Sequence, residues 1–316
     1  MKLEKSTILK DYNRWLKSYI RHAKHREVSK NSMLIYNRVL GKLGEYIGEQ
    51  DEVEKLSDID REFFFDFMDW FEDSSPKGSF ATKTKTLYIS VLKSFFVYIS
   101  DNNDEFYTYE KEFKDIMPKK ANKSKKIKYL SDNEVSRLLE FLEKGLKNKK
   151  HYSYIHSLGI KLMLYAGLRI SEVLSLELND ITISDLMNKD NQRDFYEIYL
   201  KDTKSKEEQT AIIPIIYIQK ELEYFKTLKN NKYIFQGQGS SKPINRSNFY
   251  ISVSKIMQSL NIRNRGLHIF RHTCAMQLYR KTGNLLVLKE TLRHSDIKTT
   301  MIYAHAEKRD IAEAMR

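Results

Sequence analysis

The sequence predicts a mainly α-helical protein with one small antiparallel β-sheet, divided into a helical N-terminal domain and a mixed α/β C-terminal domain. Three observations carry this. The 316 residues are about twice a typical domain of roughly 150. A lysine-dense break, Pro118–Lys128, separates two regions rich in apolar residues. Apolar residues recur at helical spacing along most of the chain, and β-prone residues concentrate in one stretch, 196–213. With only 11 Gly and 4 Pro, collagen-like, proline-rich and loop-rich β classes are excluded.

In the N-terminal domain, residues 1–117, four helices are predicted. The first spans 7–22. The second, 31–48, places Leu34, Val39, Leu43 and Ile47 near one stripe. The third, 60–71, has Asp60 as N-cap. The fourth, 80–99, repeats Leu87, Val91, Leu92, Phe95 and Phe96 at 3–4 spacing, with Lys83, Lys85 and Lys93 elsewhere on the helix.

The linker, 118–128, holds Lys119, Lys120, Lys123, Lys125, Lys126 and Lys128. Such a segment repels itself and cannot bury itself, so it is expected to be extended. Its charge suits a strap over a phosphate backbone; a plain solvated connector is the alternative.

The C-terminal domain, 129–316, opens on a capping box, Ser131-Asp132-Asn133-Glu134. A helix over 152–165 is expected to end at a left-handed Gly167. Tyr196–Leu200 and Thr210–Ile213 flank a charged turn and read as a hairpin, with Ile181–Ile183 as third strand. Helices follow over 218–229, 246–260, 267–281, 284–293 and 298–312.

Composition narrows the function. The single cysteine, Cys274, forms no internal disulfide or multi-cysteine zinc site and reads as a core thiol. No apolar run reaches the roughly 18 residues that span a bilayer, and the charged N-terminus lacks a signal-peptide segment. A cytoplasmic protein without membrane partners is expected. With 55 Lys plus Arg against 42 acidic residues, a formal charge of +13 points to a polyanionic partner, most simply nucleic acid.

Three clusters stand out. Ala166-Gly167-Leu168-Arg169-Ile170-Ser171-Glu172 puts an arginine after a glycine turn at a helix start, where guanidinium and free N–H groups together suit an oxyanion. Glu172 is placed to orient that arginine. In His268-Ile269-Phe270-Arg271-His272, His268 and Arg271 share a helix face, a titratable imidazole beside a cation. His268 and His272 stand at a zinc-like i,i+4 spacing but lack an intervening glutamate or nearby carboxylate, so no metal is assigned and His272 reads as a packing or hydrogen-bonding residue. The third cluster is Leu292-Arg293-His294-Ser295, then Thr299-Thr300-Met301-Ile302-Tyr303; spacing alone does not single out Tyr303 among 20 tyrosines.

Taken together and in order, AGLRISE, HIFRHT and LRHSDIKTTMIYAH resemble the motifs of the tyrosine recombinase (phage integrase) family. The resemblance covers 129–316 as a catalytic domain, and the N-terminal helices and basic linker look like that family's core-binding domain. Within the family, the compact chain is most similar to Xer-type site-specific recombinases. The resemblance implies Tyr303 as nucleophile, Arg169 and Arg271 as a phosphate clamp, His268 in proton transfer, and His294 holding the phosphate or positioning Tyr303. It also implies a catalytic lysine in the hairpin turn. Lys204 fits best, with Lys201 and Lys206 as alternatives. The chain departs from the family at Arg293, where Gly is common, which adds bulk and charge at the turn before His294.

The implied reaction is DNA transesterification through a 3′-phosphotyrosyl link and a Holliday junction, with no cofactor. The implied partners are double-stranded DNA at a palindromic site and the protein itself, as a tetramer on DNA and a monomer or weak dimer when free. A DNA-translocase activator is left open. So is whether Ile311, Ala312 and Met315 form a C-terminal helix exchanged between protomers. Chromosome or plasmid dimer resolution, tied to chromosome partition and cell division, heads the expected roles. The alternatives are an integrase or transposase of a mobile element, an inversion switch, a type IB topoisomerase, or an inactive DNA-binding regulator.

Overall fold

The computed structural model describes the chain except residues 1, 51–52, 77, 106, 115, 117–126, 188–189, 191, 202–208, 229–230, 238, 264–265, 295, 305, 307–314 and 316; for 2–7 only the backbone is described. It divides into two compact units, Met1–Lys123 and Ser124–Arg316.

The first unit is built from α1 (Lys2–His25), α2 (Lys30–Glu49), α3 (Arg61–Asp73) and α4 (Thr82–Asn102). Side-chain caps set two of the starts: Ser29 accepts from the Ser32 N–H, and Asp60 from the Phe63 N–H. The core is aromatic. Phe64 meets Phe96 edge-on at 4.9 Å between ring centroids and Phe113 at 4.5 Å, and Phe96 meets Tyr109 at 4.7 Å. Two expected core positions lie outside it. Leu34 is 68% exposed, because five residues before Val39 is about 140° around the helix from the buried face. Leu87 is 43% exposed; Tyr88 and Ile89 fill the core at that level.

The second unit is organised around α6 (His151–Tyr165), which packs against α5 (Asp132–Lys147), α7 (Ile170–Ser175), α8 (Ile215–Thr227) and α10 (His268–Thr282). A helix flanked on so many sides has little polar face left, and Leu158, Ile160, Leu162 and Leu164 are all buried. The expected capping box of Ser131 and Glu134 starts α5. Strands β1 (Ile181–Ile183), β2 (Phe195–Leu200) and β3 (Gln209–Pro214) form an antiparallel sheet in that order, Ile198 pairing with Ile181 and Ala211. Tyr196, Ile198 and Leu200 point alternately inward. Then α8 starts right after Pro214, and α9 (Arg246–Ser259), α10, α11 (Leu285–Leu292) and a helical run at 298–304 complete the unit. Among the described residues no helix is long and apolar enough to cross a membrane.

Gly159 in α6 marks how closely these helices approach. A Cβ there would stand 2.6 Å from the Phe249 ring and 3.1 Å from that of Phe235. Gly159→Val is therefore expected to destabilise the second unit by about 1–3 kcal/mol or more, read as a lower denaturant midpoint at unchanged slope. An unchanged midpoint would show that the α6–α9 contact is looser than described.

Candidate active site

Beyond α6 the chain turns at Gly167, whose φ of +61° lies in the left-handed region. The turn is also tight: a Cβ would stand 3.0 Å from Leu292 Cδ2 and 3.5 Å from Cys274 Sγ. Those neighbours belong to α11 and α10, so the three sequence clusters meet at this glycine. Arg169 is the N-cap of α7, and Glu172 in its first turn binds it twice. Oε2 accepts from the Arg169 backbone N–H and Oε1 from Nη1, both at 2.7 Å.

Arg271 of α10 is 5% exposed. Its Nη1 donates to the Gly167 carbonyl and its Nη2 to that of Leu292. This one guanidinium ties the turn after α6 to the end of α11. Arg293, the αL cap of α11 with φ 52°, donates through Nη1 to the Thr291 carbonyl at 2.9 Å. Its Nη2 reaches Glu172 Oε2 at 3.2 Å and the Gly167 carbonyl at 3.4 Å. Arg169 Nη2 in turn donates to the Arg293 carbonyl at 3.4 Å. Two guanidiniums thus bond one carboxylate with a third nearby, and the cluster is left with net positive charge, the condition for holding an anion. Burial, with the charges of Arg169 and Arg293, lowers Arg271 to about 10, and it stays cationic at neutral pH. Burial opposes ionisation of Glu172, but Arg293 and Arg169 outweigh it and hold the carboxyl below its ordinary range.

The imidazoles feel the same cations. His268, exposed at the start of α10, is lowered by partial burial and then by Arg246, Arg271 and Arg169. His294 is lowered to about 4 by burial and by Arg271, Arg169, Arg293 and His272; its Nδ1 lies 2.9 Å from Thr300 Oγ1. His272 is lowered to about 4 by burial, His268 and Arg271. Tyr303, in the helical run at 298–304, is 1% exposed and packs with Ala275, Met276, Leu288 and Leu292. Burial pushes its hydroxyl up to about 12, with Arg271 acting the other way. That hydroxyl lies 2.8 Å from His272 Nδ1.

The structure pairs Glu172 with Arg169 as the spacing suggested and brings Arg271 to the same turn, with His268 and His294 within reach of these charges. Cys274 is a buried thiol, as read. His294 bonds Thr300, and the side chain on Tyr303 is His272, which the sequence had given to packing or hydrogen bonding. Its signal was present: two histidines one turn apart, flanking an arginine. Arg293 does not disrupt its turn but joins the cluster. Lys201 is paired with Asp180 at 2.7 Å and Glu177 at 3.2 Å. Lys204 and Lys206 lie outside the described residues, as do Ile311, Ala312 and linker residues Lys119, Lys120, Lys123, Lys125 and Lys126; Lys128 is exposed. Among the described residues no group of three or more His, Cys, Asp or Glu is placed to hold a metal ion.

Removing Glu172 tests this arrangement. Glu172→Ala leaves the buried Arg293 guanidinium without its carboxylate, an expected loss of about 3–5 kcal/mol. A carboxyl held below its ordinary 4.5 contributes stability that is present above that pH and lost as pH falls through the folded value. Part of the wild type's unfolding below pH 4.5 should therefore be missing in the variant, as thermal melts against pH will show. A variant as stable and as acid-sensitive as wild type would mean Glu172 does not carry the cluster.

Known proteins share these features. The profile of the phage integrase family matches residues 128–310, and that of the phage integrase SAM-like domain matches 8–98. The tyrosine recombinase XerD of Rickettsia bellii (strain RML369-C) is 29% identical over 305 residues, covering 92% of this chain and 93% of the relative. Among solved structures, the post-cleavage complex of the XerH site-specific recombinase with palindromic difH substrate aligns with a TM-score of 0.73 at 23% identity, over 95% of this chain and 83% of that one. The Tn1549 transposon integrase aligns with a TM-score of 0.61 at 18% identity, over 95% and 99%. The family profile covers more than half of the chain, including all three clusters gathered at Gly167, and so the chain belongs to the phage integrase family and is a tyrosine recombinase, an enzyme of DNA strand exchange.

Proposed function

We propose that this recombinase cuts and rejoins DNA through a 3′-phosphotyrosyl intermediate on Tyr303 and a Holliday junction, in the Xer-like resolution of chromosome or plasmid dimers. The observation that carries this reading is the cluster of Arg169, Arg271 and Arg293 about Glu172 and Gly167, with the buried Tyr303 hydroxyl on His272, the neighbour of Arg271 in α10. Support for the Xer-like role is the match to XerD across nearly the full length of both chains.

Each proposed role follows from a physical demand. As Tyr303 Oη attacks phosphorus, charge grows on the non-bridging oxygens, and Arg169 and Arg271, with His294, bind them. Glu172 holds the Arg169 fork in place. His268, at the exposed end of α10, takes part in proton transfer at the phosphate. The leaving 5′-oxygen needs a proton, the role assigned to Lys204. One diester replaces another, so bond energy is kept and no cofactor is consumed. A free 5′-hydroxyl from the partner strand then reverses the step. Four protomers on two palindromic sites supply the four cleavages, and the lysines at 119–128 follow the phosphate backbone.

Three outcomes are expected on a nicked suicide duplex whose palindromic site has been selected from a random library by the wild-type protein. Tyr303→Phe abolishes the covalent adduct on a denaturing gel and leaves the mobility shift within a few tenths of a kcal/mol, because affinity comes from many phosphate contacts. Arg271→Ala cleaves about 10²–10³-fold more slowly, as when one oxyanion donor is removed. The wild type cleaves in EDTA. An adduct that persists with Tyr303→Phe transfers the nucleophile elsewhere, and loss of cleavage on chelation, restored by zinc or magnesium, sinks the arginine clamp.

A further inference from the structure

We infer that His272 is a catalytic residue, the base that takes the proton from Tyr303 Oη as the tyrosine attacks phosphorus. The inference rests on Tyr303 being the nucleophile and assigns what that reading leaves open, the destination of its proton.

Geometry carries it. His272 Nδ1 lies 2.8 Å from Tyr303 Oη, the reacting atom itself, which is within the reach a general base needs. The two rings are tilted at 52° with centroids 5.8 Å apart, so they are not stacked and the contact is the hydrogen bond. Among the described residues no other side chain is bonded to that hydroxyl. His268 is one turn earlier on α10 and exposed, next to the charges of Arg246, Arg271 and Arg169.

The electrostatics agree in sign. A tyrosine at about 12 does not ionise unaided at neutral pH. An imidazole held near 4 is neutral there, and a neutral Nδ1 accepts the hydroxyl proton while Nε2 carries the ring hydrogen. The groups facing His272 are His268 and Arg271 from α10, His294 from beyond α11, and Tyr303 from the 298–304 run. Arg271 disfavours imidazolium, but when a diester anion sits among the arginines that penalty falls, so phosphate binding itself raises the basicity of His272. The proton transfer is then coupled to the presence of substrate.

The step balances. An Oη lone pair forms the new O–P bond, the P–O5′ bond breaks, and the Oη proton passes to His272 Nδ1, giving imidazolium. The 5′-oxygen takes its proton from a separate acid, the role given to Lys204. In the rejoining step the imidazolium returns its proton to the leaving tyrosine.

The experiment uses the full-length protein and the selected nicked suicide duplex. His272→Ala and His272→Asn are compared with wild type, each with native tyrosine or 2,3,5-trifluorotyrosine at position 303. Folding is followed by circular dichroism and DNA binding by mobility shift. Both variants should bind DNA as wild type does. At pH 7.5 they should form adduct about 10²-fold more slowly, the low end of a general base's contribution. The deficit should shrink toward pH 10. The fluorinated tyrosine, which ionises more readily, should recover at least about tenfold in the variants. A 5′-bridging phosphorothiolate, which helps only the leaving group, should recover nothing.

Wild-type rates in either variant would overturn the assignment, His272→Asn in particular reducing His272 to a positioning contact. Faster cleavage would overturn it by making the contact a latch. So would a deficit that ignores both pH and fluorination, which is the mark of packing, or rescue by the phosphorothiolate, which is the mark of an acid. If the wild type itself forms no adduct, the nucleophile reading fails and this inference with it. If only the His272 variants behave as wild type, the inference fails alone.

Discussion

The catalytic unit depends on one buried guanidinium. Arg271 donates to the carbonyls of Gly167 and Leu292, two groups that close different helices and are 125 residues apart in sequence. Terminal helix carbonyls have no partner within their own helix, and burying them without one is costly. A single planar fork satisfies both and fixes the distance between the turn that carries Arg169 and the turn that carries His294. Lysine has no such fork. The arrangement also favours glycine at 167, because the turn is left-handed and a Cβ would press on Leu292.

Charge follows from this geometry. Tying the two turns together gathers Arg169, Arg271 and Arg293, which repel one another. Glu172 offsets part of that repulsion by taking hydrogen bonds from both Arg169 and Arg293. The remaining positive charge is met when an anion binds. Burial, and after it this charge, keeps the neighbouring imidazoles of His272 and His294 neutral. Arg293 shows how a departure from a family pattern is absorbed: its backbone adopts the left-handed conformation that glycine adopts easily, and its side chain gains three acceptors in return.

Much was legible in the residues alone. Helical periodicity located the helices of both units, and cap chemistry located their starts at Asp60 and Ser131, because a side-chain oxygen three residues from an orphan N–H is a local arrangement. β-prone runs on either side of a charged turn located the hairpin strands. The order of the three motifs located the family. Local pattern failed at Leu34 and Leu87, whose burial depends on which neighbouring helix lies opposite and at what height.

The sequence by itself determined the element types, the linker's charge, the cationic character of the chain and the three motifs that hold Arg169, Glu172 and Arg271. Each of these is a property of neighbouring residues or of composition. Only the tertiary structure decided which histidine touches Tyr303. His268 and His272 are both on α10, one turn apart, and nothing local separates them. The packing of the 298–304 run against α10 puts the tyrosine hydroxyl beside His272 and leaves His268 exposed. Contacts between residues 31 apart depend on how two helices meet, and that is set by the whole core, not by the spacing within either segment.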